Sequence, residues 1–88
     1  MNKHDFPIFR KYPDAQTFFM IEADDVFTEL KRMGKYYSRR RYQAQNYADR
    51  LMIADMIALS QKQYFISTAE EFNNAAELWV DSLQPFNF

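Results

Sequence analysis

Aromatic side chains dominate this sequence: nine Phe, six Tyr and one Trp stand among 88 residues that include no cysteine and one glycine. A chain of this length buries only about 60 to 65% of its unfolded surface, so two independent cores are not expected and residues 1–88 read as one domain. Each aromatic ring can bury on the order of 150 to 250 Å², which supplies the core that a short chain otherwise lacks. Without cysteine there is neither a disulfide staple nor a thiolate metal site, as suits a reducing compartment. Met1 to Arg10 contains no apolar signal region, and no stretch approaches the roughly 18 apolar residues of a membrane span. The expectation is a soluble, cytoplasmic domain with no membrane association.

The net charge of -1 conceals a polarity along the chain. Lys31, Arg32, Lys35, Arg39, Arg40 and Arg41 follow one another with no acid between them, whereas Gln63 to Phe88 carries Glu70, Glu71, Glu77 and Asp81 and no basic residue. The centre of the chain is basic and its end acidic.

Ile8 to Tyr12 and Thr17 to Glu22 read as two strands, joined by Tyr12-Pro13-Asp14-Ala15 as a type I turn. Asp24 is placed to cap a helix in which Val26, Phe27, Leu30 and Met33 recur at helical spacing, ended by Gly34 in a left-handed conformation. Lys35 to Gln45 alternates as a strand with Lys35, Tyr37, Arg39 and Arg41 on one solvent-facing side. Tyr47 to Leu59 supports two readings. Its Ala, Leu, Met and Asp favour a helix, while Leu51, Ile53, Asp55, Ile57 and Leu59 alternate as in a strand. Gln63 to Ile66 follows as a short strand, and Ser67-Thr68-Ala69-Glu70 reads as a capping box. The helix it opens buries Phe72, Ala75, Ala76, Trp79 and Leu83 before Pro85 stops it.

Ile8-Phe9-Arg10-Lys11, Phe18-Phe19-Met20-Ile21, Phe27-Thr28-Glu29-Leu30 with Gly34, and the run from Asp49 to Met56 resemble a family of short uncharacterised bacterial α+β proteins of unknown function. The resemblance spans most of the chain and rests on aromatic and aliphatic motifs. It implies an α+β fold with residues 50–57 extended, and brings no catalytic or binding residue with it. The expected architecture is a four or five stranded, mainly antiparallel sheet with two helices on one face, in the order ββαβββα.

Whole reaction classes are removed by what is missing. His4 is the single histidine, so no His-paired nucleophile or multi-histidine metal site can form within one chain, and one glycine cannot build a phosphate-cradling loop. Asp24 with Asp25, and Glu70 with Glu71, are adjacent acids of the sort that could hold Mg²⁺. Placed at helix starts, they serve the helix dipole instead, and Asp49 and Asp55 lack a third ligand. The reading is a non-enzyme with no cofactor and no metal: a small interaction or accessory module that binds another protein, or itself as a homodimer. Two contact surfaces are expected. One is the row Lys35, Tyr37, Arg39 and Arg41, which as an alternative could bind nucleic acid through phosphate contacts and base stacking. The other is the aromatic group Trp79, Phe86 and Phe88.

Overall fold

The computed structural model describes the backbone of residues 5–34, 36–60 and 63–83, with side chains described as far as Leu78. Among the described residues the chain forms five strands and two helices. These are β1 (Ile8–Lys11), β2 (Thr17–Ala23), β3 (Val26–Met33), β4 (Tyr36–Gln43), α1 (Tyr47–Ala58), β5 (Phe65–Ile66) and α2 (Ala69–Leu83). The strands make one sheet in the order β4-β3-β2-β1-β5, and every neighbouring pair is antiparallel. The α+β class, the five strands and the two helices agree with the sequence reading. The expected and observed orders differ by an exchange of the third and fifth elements.

The β1-β2 turn forms as its sequence dictates. Ala15 N–H donates to the Tyr12 carbonyl at 3.0 Å, and Ala15 then takes φ +58°, the left-handed residue that follows a type I turn in short hairpins. From β2 onward the two sides of the sheet diverge. Successive strand residues point to opposite faces, so Phe19 and Ile21 meet Phe27 of β3, Tyr64, and Ile53 and Met56 of α1. Phe18 lies on the other side, with Leu30 of β3 and Phe72 and Ala75 of α2. The helices therefore cover opposite faces rather than one, and the sheet is the middle of three layers.

That arrangement explains the exchange. A central strand covered on both sides has no solvent face, so its apolar residues run consecutively instead of alternating. Val26, Phe27 and Thr28 are all buried, as are Thr17, Phe18 and Phe19. The helical spacing of Val26, Phe27, Leu30 and Met33 is what two buried faces and an exposed strand end produce, and residues 26–33 are a strand. Asp24 and Asp25 make the tight turn before it, and Gly34, at φ +61°, serves the β3-β4 hairpin in place of a helix end.

The opposite correction applies to residues 50–57, which are helical and not extended. Asn46 caps α1, its side chain accepting from the Asp49 N–H at 3.0 Å, while Asp49 reaches back to the Gln45 N–H at 2.8 Å. At the other end Leu59 takes φ +56° and its N–H closes the last turn on Asp55 and Met56. Helix α2 begins one residue later than the sequence box suggests. Thr68 caps it by accepting from the Glu71 N–H at 3.1 Å, and Glu71 accepts in turn from the Ser67 hydroxyl at 2.6 Å.

Candidate functional site

Strand β4 is an edge, paired only with β3 among the described residues. The Ala44 N–H donates to the Asp25 carbonyl at 2.7 Å just beyond the strand. Antiparallel ladders place hydrogen-bonded pairs at every second residue. Tyr42, Arg40, Ser38 and Tyr36 therefore turn their backbone groups toward β3, and Tyr37, Arg39, Arg41 and Gln43 turn theirs to the open edge. These outward-turned residues include Tyr37, Arg39 and Arg41 of the expected basic row.

Their side chains share the α2 face, as the alternation of Lys35 to Gln45 implied, but their circumstances differ. Tyr37 is half-buried and packs against the Phe18-Leu30-Phe72 cluster, with the Arg32 guanidinium 6.0 Å from its ring centre. Arg41 is tied to Glu22 of β2, Nη2 to Oε1 at 3.2 Å. Glu22 also accepts from the Thr28 hydroxyl at 2.7 Å. The Thr28 hydrogen bond, followed by Arg41 and Arg39, holds the Glu22 carboxyl below the usual carboxylate range. Arg39 is exposed and forms no ion pair among the described residues. The same holds for Arg40, which points to the α1 face and which the sequence reading left out of the row. Lys35 lies outside the described residues.

Among the described residues the acidic helix forms no ion pair with the basic strand. Its ion pair with the sheet among the described residues is Lys11 Nζ–Glu71 Oε2 at 3.1 Å, on β1, three strands from β4. Ser67, then Lys11, lower the Glu71 pKa. The aromatic contact surface falls beyond what can be placed, since the side chain of Trp79 and the whole of Phe86 and Phe88 lie outside the described residues.

No group of three metal-binding side chains occurs among the described residues. Asp25 accepts from the Gln43 amide at 3.0 Å and Asp55 from the Ser60 hydroxyl at 2.9 Å, so both are used locally. No described helix is long and apolar enough to cross a membrane.

On the other face Arg10 has a role that the sequence reading missed. It shares the α1 side of β1 with Ile8 and Tyr12. Its Nε and Nη2 donate to the Met56 and Ile57 carbonyls at 2.9 and 2.8 Å, and its Nη1 to the Phe9 carbonyl at 2.8 Å. The cation fastens the carbonyl end of α1 to the sheet, where the helix dipole favours positive charge. Partial burial lowers its pKa. The signal was an arginine at the core-facing period of an otherwise apolar strand. Beside it lies a half-open hollow of about 670 Å³ between α1, β1 and the β2-β3 turn.

Fold and site together define a small α/β/α layered domain with an exposed basic edge strand. No family model, no curated protein and no solved structure matches the chain.

Proposed function

We propose that this protein is a non-catalytic contact module that binds an extended acidic segment of another protein along β4. The observation that carries the reading is the coincidence of two features on one strand. The backbone groups of Arg39, Arg41 and Gln43 face the open edge, and Arg39 and Arg40 flank it with no ion pair among the described residues. An added strand would take its main-chain hydrogen bonds from the first and its charge selection from the second. A second copy is a poor occupant, because antiparallel pairing of two β4 strands across a twofold axis brings arginines 39–41 against their own counterparts. Nucleic acid is the weaker alternative, since Tyr37 is packed under α2 and Arg41 is committed to Glu22, leaving less to stack and to neutralise phosphates. A chain without cysteine suits a reducing cytoplasm.

The test uses a peptide as long as β4's eight residues, alternating Glu with Val, titrated into ¹⁵N-labelled protein. Saturable shifts should centre on the amides of Tyr37, Arg39, Arg41 and Gln43, and Arg39→Glu should weaken binding about tenfold or more. A Lys-Val peptide should not bind. The reading is overturned if the acidic peptide leaves β4 unmoved, or if single-stranded oligonucleotide binds there instead with an affinity that collapses between low and physiological salt.

A further inference from the structure

The hollow beside Arg10 is independent of β4 and lies on the opposite face of the sheet. Its floor is hydrocarbon: Ile8 from β1, with Ala54, Ile57 and Ala58 from α1. Ala54 and Ala58 are one helical turn apart and so stack on the same side of α1; their small side chains are what leaves the space open. Its polar groups are Arg10, Arg50 and Asp24. Arg10 spends three of the five N–H groups of a guanidinium on main-chain carbonyls, which fixes the head group and leaves two N–H for a ligand. Arg50 is exposed and forms no ion pair among the described residues. Ligand pockets have about 300 to 1,000 Å³, apolar walls and a few polar groups that orient what enters. This hollow has that composition.

We propose that the hollow binds a small amphipathic monocarboxylate, its carboxylate on Arg10 and Arg50 and its hydrocarbon body over Ile8, Ala54, Ile57 and Ala58. Asp24 on the rim opposes a second negative charge and so restricts the ligand to a single one. Arg10 is pinned before the ligand arrives, which lowers the entropy lost on binding.

Sodium octanoate is the probe, added to ¹⁵N-labelled full chain. Saturable shifts are expected at Ile8, Arg10, Ala54 and Ala58. Octylammonium, with the same chain and the opposite charge, should produce none, and suberate, with a second carboxylate, should bind several-fold more weakly. Two substitutions at exposed positions separate the contributions without touching the core. Arg50→Gln should weaken octanoate about tenfold, roughly the loss of one charge-assisted hydrogen bond. Ala54→Leu should fill the hollow and abolish saturation while leaving the β4 peptide titration unchanged. Shifts that rise linearly without saturating overturn the proposal. So does equal binding of octylammonium, or octanoate affinity indifferent to both substitutions.

Discussion

Two residues with left-handed backbone stand in hairpin turns, and they carry opposite side-chain consequences. Gly34 sits at φ +61° with nothing within 4 Å of where a Cβ would be, so Gly34→Ala meets no steric obstacle and tests backbone strain alone. It should cost about 1 kcal/mol in chemical denaturation. Ala15, exposed at φ +58°, already bears that strain, and Ala15→Gly should raise stability by about 0.5 to 1 kcal/mol. Two carboxylates supply the pH dependence. Glu22 and Glu71 both have depressed pKa values in the folded chain, held down chiefly by Thr28 and Ser67 respectively. A depressed folded pKa contributes stability that is present above the unfolded pKa and is lost as pH falls through the folded one. Stability should therefore decline below about pH 4.5. Thr28→Val and Ser67→Ala should each destabilise the protein at pH 7, and both differences should shrink as the pH falls and the two carboxylates take up protons. A variant whose deficit does not change as the pH is lowered would show that its hydroxyl acts through packing and not through the carboxylate.

At the scale of elements, what was legible in the sequence was what local chemistry decides. The β1-β2 hairpin announced itself through Pro13 and Asp14, and α2 through its Ser-Thr cap and acidic first turn. Two segments did not. Residues 26–33 lose strand alternation because helices cover both faces, a fact of tertiary structure invisible to a window of eight residues. Residues 47–58 are apolar nearly all round: Ile53 and Met56 face the core while Tyr47, Leu51 and Met52 remain exposed. Neither period is favoured there, and the caps decide. Asn46 and Asp49 start the helix there, against the extended conformation that the resemblance implies. Of the basic row, the alternation of β4 gave the shared face of Tyr37, Arg39 and Arg41. The Glu22 partner, nine residues before the basic stretch begins at Lys31, needed strand order to be seen. Asn46→Ala should cost about 1 kcal/mol and Arg10→Met about 2 kcal/mol, the latter because a charged donor to the end of α1 is lost. Hydrogen exchange should place the loss in α1 before it reaches β2 and β3, the covered strands of the sheet.

At the scale of the whole molecule, a single sheet separates two small cores. Phe19, Ile21 and Phe27 look toward α1, and Phe18 and Leu30 toward α2. Both clusters draw on the same two strands, β2 and β3, so the ordering of each helix is coupled to the other through them. Yet the buried side chains form two separate clusters among the described residues, with the backbone of the sheet between them. Cooperativity in unfolding and independence in packing can therefore coexist. Ile53→Val on the α1 side should cost about 0.5 to 1.5 kcal/mol, and Ala75→Gly in α2 about 1 kcal/mol. The double variant should lose the sum to within about 0.5 kcal/mol, as distant sites without shared partners do. Denaturation followed both by far-ultraviolet dichroism and by aromatic fluorescence should keep one transition in all three variants. A coupling larger than that margin would mean that the sheet transmits strain between its faces, and separate transitions would mean that each face melts alone.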